Sequence, residues 1–127
     1  MKTGENMYAQ HADHTEWLTK MKFYTDEITI LQNRLEEIAS KNSHQEVLSL
    51  VEHFQNQLIV QKNNIDEILH SIKLHENEIE KEIEKNPVTA DHRNMPTHKE
   101  VKDKIDTFEK TFNELRAEFR NFAAKWM

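Results

Sequence analysis

The sequence predicts an all-α fold, an antiparallel (up-down-up) three-helix bundle with coiled-coil-like heptad packing and a long central helix. Three observations carry this. The 127 residues include one Gly and two Pro, whereas a β-rich fold needs turn residues about every ten positions. Charged residues make up 31% of the chain, as in helical bundles and coiled coils. Apolar residues recur in three long stripes stepped by alternating threes and fours, the 3.5-residue repeat of supercoiled helices. The length suits one domain with a single core over residues 1–127.

Helix one is expected over about 14–41, after an N-terminal tail at 1–12. Its stripe is Trp17, Met21, Tyr24, Ile28, Leu31, Leu35 and Ile38. Helix two is expected over about 44–85 and ends where Pro87 pushes Asn86 out of helical geometry. Its stripe runs Val47, Val51, Phe54, Leu58, Gln61, Ile65, Ile68, Ile72, His75 and Ile79 without a slip, although two members are polar. Helix three, about 98–126, places Val101, Ile105, Phe108, Phe112, Leu115, Phe119, Phe122 and Trp126 in consecutive seam positions. Such an aromatic row reads as core, because rings bury large areas at the facing positions of a bundle.

Ser43-His44-Gln45-Glu46 and Thr97-His98-Lys99-Glu100 read as capping boxes, with Asp13-His14-Thr15-Glu16 a looser version. The connection at Lys41-Asn42-Ser43 is short enough to demand an antiparallel hairpin, and the stretch from Asn86 to Pro96 can fold back along helix two. Up-down-up topology follows. At about 1.5 Å per residue helix two should be roughly 60 Å long and overhang its neighbours, unless the N-terminal segment and the second connection cover it. The heptads and the early Trp17 resemble the general plan of a spectrin-type three-helix repeat over most of the chain. There is no second repeat, so the resemblance implies the fold and carries no cytoskeletal role.

The net charge of −6 and the lack of a basic, aromatic-studded patch argue against nucleic acid as a partner. No Cys is present, which excludes disulfides and thiolate chemistry and fits a reducing compartment. MKTGENMYAQ has no signal-peptide apolar run, and no stretch reaches the roughly 18 apolar residues of a membrane span. A cytoplasmic protein with no membrane partner is the expectation.

Six of the eight histidines fall by topology at one end: His11, His14, His70, His75, His92 and His98. His14 precedes Trp17 by one seam step, His98 precedes Val101, and His75 follows Ile72. Matching the stripes puts Trp17, Ile72 and Val101 in one layer and His14, His75 and His98 in the next. Three imidazoles there can ligate Zn²⁺ or Fe²⁺, with Asp13, Glu16 or Asp91 as a fourth ligand or supporting group. The positive ends of helices one and three would favour neutral rings at His14 and His98. The alternative is a polar lid, hydrogen-bonded to caps and water and responsive to pH.

Other metal templates are incomplete. Glu67-Ile68-Leu69-His70 matches half of a di-iron bundle motif and lacks its second copy, while His70 and His75 point about 140° apart on their helix. Gln61 interrupts the seam and is expected to hydrogen-bond Tyr24, fixing register.

Off the main seams lie Phe23 and Ile30 on helix one, and Ile59, Val60 and Leu74 on helix two. Helix three offers only Ala117, Ala123 and Ala124. These five residues suggest a contact surface on the helix-one and helix-two hairpin, for a homodimer or a partner's helix. With no nucleophile–base pair, phosphate loop or paired-carboxylate motif, the expected function is a non-enzymatic interaction or structural module needing no cofactor. A small bundle binding zinc or iron at its histidine end is the alternative.

Overall fold

The computed structural model describes the backbone of residues 3–85 and 90–126 and the side chains of residues 12–81 and 98–126. The described backbone forms three helices, α1 (Thr3–Lys41), α2 (Gln45–Lys85) and α3 (Ala90–Trp126). Each packs against both others, giving the up-down-up bundle. Among the described residues no helix is long and apolar enough to cross a membrane.

The three stripes become the core. Every seam residue of α1 from Trp17 to Ile38 is buried, as are Val47 to Ile79 on α2 and Val101 to Phe122 on α3; Trp126 packs partly buried at the end. Heptad spacing works here because side chains three and four apart share one face of a helix. Aromatic rings lock the layers, edge to face in Tyr24–Phe108, Tyr24–Phe112 and Phe54–Phe119 and tilted in Phe54–Phe122. Tyr24 meets Phe108 and Phe112 at centroid distances of 5.1 and 5.0 Å, and Phe54 meets Phe119 and Phe122 at 5.5 and 5.0 Å. Burying each such side chain contributes about 1.5–3 kcal/mol.

The helix starts differ from expectation. α1 begins at Thr3 and not near residue 14, so most of the expected tail at 1–12 is helical. α3 begins at Ala90 and not at 98, and runs through Pro96. The three helices therefore have 39, 41 and 37 residues, and α2 has no bare overhang. Residues 5–13 contain neither Gly nor Pro, so no residue stops α1 from extending. Pro96 removes one amide donor from α3, and α3 is helical on both sides of it. Packing against neighbours dominates helix stability in a folded chain. The register of the bundle brings the early turns of α1 and α3 level with the end of α2, which supplies such a neighbour.

The capping boxes fare accordingly. Asp13-His14-Thr15-Glu16 and Thr97-His98-Lys99-Glu100 lie inside helices, and the side chain of Thr97 is outside the described residues. At the start of α2 the first bond runs from the Leu48 amide to the His44 carbonyl at 3.0 Å. His44 rather than Ser43 is therefore the boundary residue.

Candidate functional site

Heptad phase brings His14, His75 and His98 together. Their ring centroids stand 4.8 Å (His14–His75), 5.8 Å (His75–His98) and 6.2 Å (His14–His98) apart. Trp17 closes the layer from the core side, 5.3 Å from the His14 ring and 5.0 Å from that of His98. His14 and His75 are fully buried, while His98 keeps some contact with solvent.

The polar atoms form a chain across the layer. His14 Nε2 lies 2.7 Å from His75 Nδ1, so one of these nitrogens donates and the other accepts. On its other side, His14 Nδ1 lies 3.3 Å from Glu76 Oε1 but makes no hydrogen bond. A carboxylate can only accept, so Glu76 favours the proton on Nδ1, leaving Nε2 to accept from His75. At the outer edge, His98 Nε2 donates to Asp13 Oδ2 over 3.0 Å. Asp13 thus joins α1 to α3 and caps nothing.

Burial pushes the His14 pKa below its ordinary 6.5. The neighbouring His75 and, more weakly, His98 add to this, against the opposing pull of Glu76. The expected helix-dipole cause does not apply, because α1 starts at Thr3 and His14 sits about three turns inside it. Desolvation of the imidazolium does the work instead.

The arrangement is a hydrogen-bonded one. Two nitrogens on one tetrahedral zinc, each at about 2.0–2.1 Å, would stand about 3.3 Å apart, wider than the His14–His75 contact. His98 turns its Nε2 to Asp13, and Glu16 is exposed and pairs with Lys20 at 3.8 Å. Among the described residues no group of three or more His, Cys, Asp or Glu side chains is set to hold a metal ion. The side chains of His11, His92 and Asp91 lie outside the described residues, and His70 is exposed on α2.

Gln61 is buried, and its Oε1 has no hydrogen-bond partner. The expected bond to Tyr24 is absent, because the Tyr24 hydroxyl donates to Glu109 Oε2 at 2.6 Å. α3 reaches the Tyr24 hydroxyl first, a choice that α1 and α2 read alone do not reveal. Burial, helped by that bond, pushes the Tyr24 pKa up to about 12.

A second feature was only partly legible in the sequence. A groove of about 520 Å³ runs between α1 and α3, lined by Glu27, Ile30, Leu31, Arg34, Arg116, Phe119, Arg120, Ala123 and Ala124. Three of the chain's four arginines meet there. Arg116 lies over the Phe112 ring at 5.1 Å and donates to Glu27 from Nε at 2.8 Å. Arg34 and Arg120 are exposed and have no partner among the described residues. The small Ala123 and Ala124, read from sequence as a missing stripe, line the groove's α3 side. A groove of about 500 Å³ between α2 and α3 differs in kind. Its rim mixes Glu67, Glu100, Asp103 and Lys104, and Lys104 already bonds Ser71 at 3.2 Å and pairs with Glu67 at 3.8 Å.

The groove divides the expected hairpin surface. Phe23, Ile30, Ile59, Val60 and Leu74 are all exposed, between 48% and 59%, but they do not form one face. Ile30 faces α3, and Phe23, one heptad earlier, shares that side with Lys20 and Glu27, which pair with Glu109 and Arg116 of α3. Ile59 lies on the outside of α2, while Val60 and Leu74, one heptad to either side of Glu67, flank its α3 side. The reason is azimuthal: Phe23 and Ile30 flank the α3 side of the α1 seam, and heptad spacing alone did not say which neighbour lay there. Compared with known protein families, curated proteins and solved structures, the chain matches none.

Proposed function

We propose that this protein is a non-enzymatic interaction module, a rigid three-helix bundle whose α1–α3 groove receives an amphipathic helix. The observation that carries the reading is the exposed Ile30 beside the unpaired Arg34 and Arg120, above a floor of buried Leu31 and Phe119. An apolar strip edged by free guanidinium groups suits a helix with an apolar face and acidic flanks. The overall charge of −6 makes this local concentration of arginine more pointed. A cytoplasmic setting fits the cysteine-free composition.

The test is binding of a fluorescent, stapled helix carrying an Ile pair flanked by Glu residues. Saturable anisotropy that is lost in Arg34→Glu/Arg120→Glu supports the reading. Equal binding by the double variant, or none by the wild type, refutes it.

The second reading is a zinc or iron site at the histidine end. It is favoured by the convergence of three imidazoles. It requires His14 and His75 to exchange their direct 2.7 Å contact for a shared ion. Added zinc near neutral pH would then raise Tm through binding to the folded state alone, and His75→Ala would abolish the rise. An unchanged Tm leaves the layer as a hydrogen-bonded lid.

A further inference from the structure

The outside of α2 carries the complement of the groove. Ile59 and Val60 are adjacent exposed apolar residues on the outer half of α2, with Leu74 two heptads beyond Val60 and mostly polar residues between. Glu52 and Asp66 lie one heptad to either side of Ile59, both exposed and neither paired among the described residues. In a three-helix bundle this outer face of α2 lies opposite the α1–α3 groove.

The heights match as well as the charges. His14 and His75 fix a common level. Sixteen residues further along α1 is Ile30, and sixteen residues back along the antiparallel α2 is Ile59. By the same register Glu52 stands close to the height of Arg34. Arg120 joins that level through α3, whose Phe119 packs on Phe54. Sideways translation of one molecule onto another, without rotation, sets Ile59 and Val60 over Ile30 and carries Glu52 toward Arg34 and Arg120.

We infer that the groove's occupant is a second copy of this chain, docked head to tail through the Glu52–Ile59–Val60 ridge of α2. This rests on the interaction-module reading and names its partner. The two patches lie on opposite sides of the molecule, so a pair leaves one groove and one ridge free. The contact is heterologous, and the assembly grows as an open row rather than stopping at a two-fold dimer. The contact is small and edged by exposed charges, so it is weak and weakened further by salt.

Sedimentation of the intact chain at rising concentration tests this, with two exposed-site variants. Arg34→Glu/Arg120→Glu spoils the groove and keeps the ridge; Glu52→Lys/Ile59→Lys spoils the ridge and keeps the groove. In low salt the wild type should increase in mass with concentration past twice 15.2 kDa without a plateau, and should fall back toward the monomer in high salt. Each variant alone should remain monomeric. Their equimolar mixture should form one heterodimer and nothing larger, since it contains a single intact groove–ridge pair. Circular dichroism melts confirm that both variants are folded.

A wild type that plateaus as a dimer, or a mixture that stays monomeric, overturns the inference. If the wild type is monomeric throughout but its groove binds the stapled acidic helix, self-assembly fails and the interaction-module reading stands. If neither occurs, both fail.

Discussion

His14 Nε2 lies 2.7 Å from His75 Nδ1, and both rings are sealed inside the bundle. The pair joins α1 to α2 through one shared proton, with Glu76 of α2 behind His14, His98 of α3 beside both rings and Asp13 of α1 holding His98. A second proton in that contact would set two N–H donors against each other and bury an imidazolium at His14 with little water to screen it.

Stability should therefore fall on acidification. The His14 pKa is lowered in the folded state, so below about 6.5 the unfolded chain binds a proton that the folded chain refuses. The full contribution is present above about 6.5 and is lost progressively as pH falls from there toward the folded-state value. Urea denaturation between about pH 8 and pH 5 should show this loss. In His14→Leu/His75→Leu both hydrogen-bond partners become apolar together, and the loss over that range should shrink. An unchanged slope would assign the acid sensitivity to other groups.

Tyr24→Phe should destabilise the bundle by about 1–2 kcal/mol, because the buried hydroxyl gives up a bond to the Glu109 carboxylate. Glu109→Gln keeps an acceptor and should cost less. Chemical denaturation of the two variants checks the order, and a larger loss in Glu109→Gln would contradict it.

Replacing Gln61 should help rather than harm. Its Oε1 is buried without a partner, and it sits in a seam that is otherwise almost wholly apolar. Gln61→Met has a similar shape and should raise stability by about 1–2 kcal/mol, the cost of a buried unsatisfied polar atom. A destabilised variant with broader NMR lines would mean that Gln61 holds the register instead.

The α3 seam gives the plainest contrast. Phe112 is fully buried against Tyr24 and Phe108, so Phe112→Ala should cost about 3–5 kcal/mol. Glu118 is exposed, and Glu118→Ala should cost under about 0.5 kcal/mol. Similar losses at the two sites would be incompatible with this packing.

Heptad phase by itself determined the helices, the seams and the layer in which His14, His75 and His98 meet. Each of these follows from which residues share a face of one helix and from how short the Lys41–Ser43 connection is. Local signals misplaced the starts of α1 and α3, because a cap-like sequence permits a helix start without enforcing one and long neighbours favour extension. Only the tertiary structure decided which helix flanks which side of a seam. That choice gave Tyr24 to Glu109 instead of Gln61, set His98 on Asp13, turned Ile30 toward the arginines of α3 and left Ile59 on the opposite side. The handedness of a three-helix bundle is a global property. A 3.5-residue repeat is the same in either hand, so the α1–α3 groove emerges only once all three helices are placed.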